Sequence, residues 1–432
     1  MSADFACVVT KTKEAPCDES DIERLNFAMR PFVFTLTSLL LAVLVTAAVV
    51  YNRPRETHVL SADFVPFQPP QIESLSRDRP DAARASDIST RYVPLELLRS
   101  IANRFVPKKS YPNADLHVLL HALRLWGSTA TFAGSENSSG NQMLEVLLNV
   151  HAYSHYFPGA EPLVYESPYG LGVRYGSTPD SATHLDKMLS VLGECNVPLD
   201  ETIQLSHRTA SVEEVLSDSV SRFQLDQVEI EWTAIAFAAY IAPTNRSWSN
   251  RFHQQFTFDD LVVELMRRDF GRQTCYGTHL LYALTYILAA DDKYHVLTFR
   301  HRSKVLRHLA QVSKTLELGQ YETGCWGPFW YLDGADIKND QNPPQLDLKN
   351  LVRSTGHHLE WISIAPESVR PSPLVIEAAS QYVARVMASV NDADFKDGYC
   401  PYSHAFPALC VLEGVNPTDL LTRNAGTAPD ML

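Results

Sequence analysis

The sequence predicts an all-α body of helical hairpins, carried behind a single N-terminal membrane helix. Three observations support that expectation: an unbroken charge-free run at residues 31–52, a proline-rich stretch behind it, and apolar residues recurring at helical rather than alternating spacing from about Pro94 onward.

Residues 1–30 are polar, mixed in charge and without a sustained period, so they read as a tail. From Pro31 to Asn52 no charged residue occurs, and Leu39, Leu40, Leu41, Val43, Leu44 and Val45 dominate. At ~1.5 Å per residue, a helix of this length matches a hydrocarbon core of ~30 Å. No small-residue cleavage site follows it, so the run reads as a transmembrane signal-anchor. Lys11, Lys13, Arg24 and Arg30 precede the span, while Arg53 and Arg55 follow it; the balance favours a cytoplasmic N-terminus and an extracytoplasmic body. Residues 53–92 hold Pro54, Pro66, Pro69, Pro70 and Pro80, which suits a spacer that cannot keep a helix. The body is expected over 93–415, with a C-terminal tail at 416–432.

Within the body the spacing predicts helices at Ala114–Trp126, Gln142–Tyr153, Ser181–Leu192, Glu229–Ile241, Phe258–Asp269, Thr274–Leu288, His301–Leu318 and Pro373–Val390. Two of these, Glu229–Ile241 and Thr274–Leu288, are apolar over too wide an arc for a surface helix. His301–Leu318 instead carries a single apolar stripe, with Arg302, Lys304, Arg307 and Lys314 on its other face. Broad and one-faced helices alternating along the chain suggest an inner layer covered by an outer one. Leu163–Tyr165 and Gly172–Tyr175 can pair across Ser167–Gly170 as one small hairpin. A loose repeat agrees with the layered plan, since Trp232, His279 and Trp326 are spaced by about 47 residues, as are His357 and His404.

Composition excludes some functions. The 432 residues are 45% hydrophobic and 20% charged, with a formal charge of −13, and no block of five like charges occurs. Binding nucleic acid would need clustered Lys and Arg, so that partner is not expected. Cys7 and Cys17 lie in the tail, and Cys195, Cys275, Cys325, Cys400 and Cys410 are scattered through the body. Their spacing matches neither a disulfide framework nor a zinc finger.

Two stretches carry family likenesses. Gln320-x-x-x-Gly324-x-Trp326, after an amphipathic helix, resembles the QW repeat of squalene and hopene cyclases and the wider prenyltransferase-like α/α-toroid group. The resemblance implies an α/α toroid in which Gln320 caps an outer helix and Trp326 braces neighbouring hairpins. The Asp-x-Asp-Asp acid of those cyclases has no counterpart in this chain. Nor does the Asp-x-Cys pair of protein prenyltransferases, because Asp269 and Cys275 stand six apart. Gly356-His357-His358-Leu359-Glu360-Trp361 is similar to a Gly-His-x-x-Glu-Trp stretch of the N-acylglucosamine 2-epimerase group, also α/α toroids. That likeness implies sugar acid–base chemistry at His357, with the family's Glu falling on Glu360.

Read from the residues alone, His357, Glu360 and Trp361 share one helix face. They can move a proton beside an aromatic platform, with Gly356 starting the helix and permitting close approach. The same spacing also serves a His–Glu pair that fastens one helix to its neighbour. Cys275 and His279, at i and i+4, make half of a zinc site that His357, His358 or Glu360 would have to complete, or else an ordinary buried pair. Glu231 and Trp232 open an apolar helix, as a dipole-matched first turn or as one wall of a polyol pocket. His184 and Asp186 read as helix capping. Trp330, beside Trp326, Phe329 and Tyr331, makes either a stacking floor or a corner brace.

The expected function is therefore a membrane-tethered toroid that takes a polar, carbohydrate-like ligand in a central funnel. His357 and Glu360 are its acid–base pair, and Glu231, Trp232, Cys275, His279, His358, Trp361 and Trp330 bind the ligand. No metal ion or cofactor is assigned. A non-catalytic envelope scaffold is the alternative, and an isoprenoid-processing enzyme the third reading.

Overall fold

A computed structural model of the chain describes residues 92–108, 115–134, 136–332 and 347–422. The chain divides into two units, Met1–Phe64 and Val65–Leu432, and every described residue belongs to the second. The expected tail and transmembrane run, and all but the last residue of the spacer, lie outside the described residues. Among the described residues no helix is long and apolar enough to cross a membrane.

The described chain is mostly helical. In order it forms α1 (Leu95–Phe105), α2 (Leu116–Trp126), α3 (Gly140–Leu148), α4 (Val150–Tyr156), the hairpin β1 (Val164–Ser167) and β2 (Gly170–Val173), and α5 (Lys187–Glu194). The hairpin β3 (Thr202–Gln204) and β4 (Thr209–Ser211) leads to α6 (Val212–Arg222) and α7 (Ile230–Tyr240). A third hairpin, β5 (Ser247–Ser249) and β6 (Gln255–Thr257), leads to α8 (Phe258–Arg267), α9 (Thr278–Tyr294) and α10 (Phe299–Gly319). The chain then makes α11 (Leu348–Ile364), α12 (Pro373–Ser389), α13 (Asp392–Asp397), α14 (Tyr399–Leu412) and α15 (Pro417–Thr422).

The strands are antiparallel arms of three or four residues, and β1 pairs β2 with Val164 opposite Val173 across the Pro168-Tyr169 turn. Capping chemistry starts several of the outer helices. Ser139 and Gln142 form a reciprocal box at α3, and Thr257 and Asp260 do the same at α8.

Six helices pack as a closed cycle of neighbours: α2 on α5, α5 on α7, α7 on α9, α9 on α11, α11 on α14, and α14 back on α2. Other helices pack against them: α3 on α2, α6 on α5, α8 on α7 and α9, α12 on α11 and α14, and α1 on α14. Residue chemistry explains the division. Every side chain of α5 and of α7 is buried, whereas α10 buries one stripe, Val305, Leu309, Val312, Ser313 and Leu316. Each fully buried Leu, Ile or Phe contributes roughly 1.5–3 kcal/mol, so the apolar inner helices hold the core. Two glycines set the closeness of the cycle. A Cβ on Gly193 would stand 2.6 Å from the Ala239 Cβ, and one on Gly356 would stand 2.7 Å from the Ala405 Cβ.

Several expectations shift in detail. Gly356 lies in the middle of α11 and does not start it, although it does permit the close approach. The helix expected at Thr274 begins at Thr278, because Cys275, Tyr276 and Gly277 all take left-handed backbone angles. The helix expected at Ser181 begins at Lys187, after a left-handed Asp186. The broken pattern at Gln142–Tyr153 becomes two helices that meet at Asn149, whose side chain caps the second. Pro417–Thr422, expected as tail, is helical and buries Leu420.

The QW-like corner is a brace. Gln320 Nε2 donates to the carbonyls of Gly324 (2.9 Å) and Val375 (2.8 Å), tying the end of α10 to the start of α12. Trp326 Nε1 donates to Leu316 O, one of the last carbonyls of α10, at 2.9 Å.

Candidate functional site

The inner helices carry polar residues where an apolar core would be expected, and those residues meet. Many stand near the leading ends of their helices: His117 and His121 on α2, Lys187 on α5, Glu231 and Trp232 on α7, His279 on α9, and Cys400 and His404 on α14. His357 and Glu360 come from the second half of α11. The aromatic rings form a continuous set. Trp232 lies 4.7 Å from His279, His279 lies 4.9 Å from His357, and His357 stacks on His404 at 3.9 Å. His121 reaches His404 from the other side, with ring centroids 4.9 Å apart. Thus residues 47 apart in sequence, 232 with 279 and 357 with 404, become neighbours in the core.

Beneath the imidazoles is an ion-pair knot. Arg124 Nε and Nη2 grip Glu194 at 2.7 and 3.0 Å, and Nη1 donates to Glu360 Oε1. Tyr282 adds its hydroxyl to Glu194 at 2.5 Å. Glu360 Oε2 accepts the His404 Nδ1 proton at 2.8 Å. Both Glu360 oxygens are thereby engaged by Arg124 and His404, and Glu360 reaches the imidazole set through His404.

His357 is oriented by its own backbone. Its Nδ1 donates to the Arg353 carbonyl at 2.6 Å, which leaves Nε2 as a lone pair without a hydrogen-bond partner among the described residues. Burial pushes its pKa down to about 4, so the ring is neutral at ordinary pH. Neither nitrogen of His279 has a hydrogen-bond partner among the described residues, and burial holds that ring well below the usual imidazole range.

Lys187 is fully buried, and its Nζ lies 3.2 Å above the Trp232 ring with no hydrogen-bond partner among the described residues. Burial, reinforced by Arg124, lowers its pKa to about 7. Glu231 is buried, its Oε2 has no hydrogen-bond partner among the described residues, and desolvation raises its pKa to about 7. A buried lysine and a buried glutamate both poised near neutrality are the kind of perturbed groups that functional sites collect.

Cys275 lies in the left-handed turn before α9, with φ of 50°, and Tyr276 follows at 60°. Each such angle costs about 1–3 kcal/mol and persists only where neighbours hold it. Here Thr278 Oγ1 donates to Cys275 O at 2.7 Å and Trp330 Nε1 to Tyr276 O at 3.1 Å. The turn brings Cys275, His279 and His357 together with their ligand atoms within 4.8 Å of one another, and His117, His121 and Cys400 make a second such group. Burial raises both thiols, Cys400 to about 11, so neither is a thiolate without a cation.

The expected binding residues divide into two sets. Glu231, Trp232, Cys275, His279, His357 and Glu360 belong to the polar site. His358, Trp361 and Trp330 belong to a separate aromatic packing set: Trp361 Nε1 donates to His358 Nδ1 at 3.0 Å, and His358 sits 4.6 Å from Trp330 and 5.5 Å from Trp326. His184 and Asp186 do not cap their helix. His184 Nδ1 meets Glu229 at 2.6 Å, while Asp186 accepts from Ser219, Thr233 and Arg222.

Sequence reasoning missed His117, His121, Arg124, Lys187, Glu194 and Cys400, and singled out His404 only for its spacing. Their signal was a polar residue interrupting an otherwise apolar helix, above all His117-x3-His121-x2-Arg124 and Cys400-x3-His404.

No protein-family model, curated protein or solved structure shows a significant match to this chain.

Proposed function

We propose that the six-helix cycle is the inner wall of an α/α toroid, and that the protein binds a polar, carbohydrate-like ligand where the polar residues of that wall meet. His357 Nε2 is the proton-accepting atom in this reading, Lys187 and Glu231 flank the ligand, and Trp232 is its flat platform. Glu360 orients the site through His404. The observation that carries the proposal is the convergence, from four inner helices, of buried polar atoms without hydrogen-bond partners among the described residues: His357 Nε2, Glu231 Oε2, Lys187 Nζ and both His279 nitrogens. A fold tolerates such atoms when something else completes them. The charge-free run at 31–52 supports a single-pass tether, with the body extracytoplasmic.

The test uses full-length protein recovered from the membrane fraction and titrated calorimetrically with neutral, amino and acidic sugars, with proton–deuterium exchange at sugar carbons followed by NMR. Binding of at least one class is expected. His357→Ala should keep its melting transition and lose exchange by about 10²–10⁴-fold, the usual worth of a general base. Recovery in the soluble fraction would sink the tether. Absence of binding across the panel would favour the non-catalytic scaffold, for which the fully engaged Glu360 already speaks. Binding of prenyl compounds instead would favour isoprenoid chemistry, which these inner polar residues do not suit.

A further inference from the structure

Three elements of the inner cycle each offer two donor residues four apart: His117 and His121 on α2, Cys275 and His279 at the entry to α9, and Cys400 and His404 on α14. The protonation of two of these rings is dictated by their partners. His121 Nδ1 lies 2.7 Å from the His117 carbonyl, which can only accept, so Nδ1 carries the hydrogen and Nε2 a lone pair. His404 Nδ1 stands between two partners, Glu360 Oε2 at 2.8 Å and Arg124 Nη1 at 3.2 Å; the shorter contact is to a carboxylate oxygen, which can only accept, so the hydrogen sits on Nδ1 and His404 Nε2 is also a lone pair.

Those two Nε2 atoms face each other at 3.0 Å. Two lone pairs at that separation repel unless something positive lies between them. A shared proton would make an imidazolium beside the Arg124 guanidinium, in a fully buried position. A bridging water donating to both would hold the nitrogens about 4.4 Å apart. A first-row cation about 2.05 Å from each nitrogen spans 3.0 Å with an angle of about 94°, within the range of real coordination spheres.

The surroundings supply the rest of such a sphere. Cys400 Sγ is 3.8 Å from His121 Nε2. His117, whose Nδ1 has no hydrogen-bond partner among the described residues, brings its ligand atom within 4.8 Å of both. The outer arrangement fits as well. A metal-bound imidazole ordinarily donates its other N–H to a backbone carbonyl or a carboxylate, and His121 and His404 do one each.

We propose that His121, His404, Cys400 and His117 bind one divalent cation of the zinc type, with Glu360 and the His117 carbonyl as the second-shell groups that orient two of the rings. Three imidazoles and one thiol are the nitrogen-and-sulfur donor set that zinc prefers over magnesium or calcium. Binding would expel the thiol proton to solvent as the Cys400 sulfur joins the metal. The inference does not rest on the sugar-binding reading, because metal content is measured with no sugar present.

Full-length protein purified without chelators is analysed by inductively coupled plasma mass spectrometry, then exchanged into cobalt(II) for absorption spectroscopy. The wild type should hold tightly bound zinc-type metal, and His121→Ala and Cys400→Ser should each lose one equivalent. Cys400→Ser should also lose the near-ultraviolet thiolate-to-cobalt band, while Cys275→Ser keeps it. Should His121→Ala fail to melt cooperatively, the comparison of the two serine variants decides. A wild type that stays metal-free after incubation with zinc would overturn the proposal, as would Cys400→Ser with unchanged metal. The reverse pattern, with the band lost only in Cys275→Ser, would do so too by placing the ion on Cys275, His279 and His357.

Discussion

Two polar regions sit side by side inside one apolar cycle of helices, and they obey opposite rules. Around Arg124, both Glu194 oxygens, both Glu360 oxygens and the Tyr282 hydroxyl are engaged in hydrogen bonds. Around His279, its own ring, His357, Lys187 and Glu231 leave buried donors and acceptors unmatched among the described residues. Burying polar groups costs free energy in both regions, but only the first recovers it internally. The Arg124 knot therefore serves as foundation. The imidazole region keeps hydrogen-bonding capacity that the described residues do not use.

Breaking the knot should have the largest effect. Arg124→Met removes the guanidinium that pairs with both Glu194 and Glu360, so that two buried carboxylates lose a charge partner at once. Loss of one partner of a buried ion pair typically costs about 3–5 kcal/mol. Urea unfolding of the variant should show a midpoint shift of that order, or no cooperative transition at all. A shift below about 1 kcal/mol would mean that the knot is not the foundation of the core.

The unmatched region should instead reveal itself through pH. Lys187 has a folded pKa of about 7, below its ordinary 10.5, so between those values the unfolded chain binds more protons than the native one. Stability should then rise with pH from about 7 to 10.5. Glu231 has the reverse sign. Its folded pKa of about 7 stands above the ordinary 4.5, so the native chain binds the extra proton and stability should fall as pH climbs from 4.5 to 7. Each contribution amounts to a few kcal/mol at most, at about 1.4 kcal/mol per pKa unit. Thermal melts across pH should trace a shallow minimum near neutrality. Lys187→Met should flatten its alkaline limb and Glu231→Gln its acidic limb. A minimum unaffected by either change would place the titrating groups elsewhere.

How much of this was legible beforehand depended on range. Helical spacing and wide apolar arcs are local signals, so α7 and α9 could be placed from residues 229–241 and 274–288 within a few positions. Gly356 and Glu231 were visible as unusual residues, yet what each meets is decided by a helix far along the chain. Arg124 reads as an ordinary basic residue at the end of a helix until Glu194 and Glu360, 70 and 236 residues away, arrive beside it. His357 and Glu360 share a helix face as expected, but their partners are His404 and Arg124, which no local spacing could name. Left-handed turns were the other blind spot. Cys275 and Asp186 read as helical because nothing in their own side chains demands otherwise, and the trapping contacts come from Trp330, Ser219 and Arg222.

The smallest effect, and the sharpest contrast with Arg124, belongs to His279. Neither ring nitrogen has a partner among the described residues, so its removal breaks no hydrogen bond, while its ring packs against Trp232, His357 and His404. Replacing it by phenylalanine keeps a planar ring of similar size and withdraws two unsatisfied polar atoms from the core. Such an exchange is near neutral or stabilising, because the desolvation penalty disappears with the atoms that incurred it. His279→Phe should change unfolding free energy by less than about 1 kcal/mol while weakening whatever the site binds, the usual opposition between stability and function. If His279→Phe proved as damaging as Arg124→Met, the imidazole region would be structural after all, and the division between foundation and binding patch would collapse.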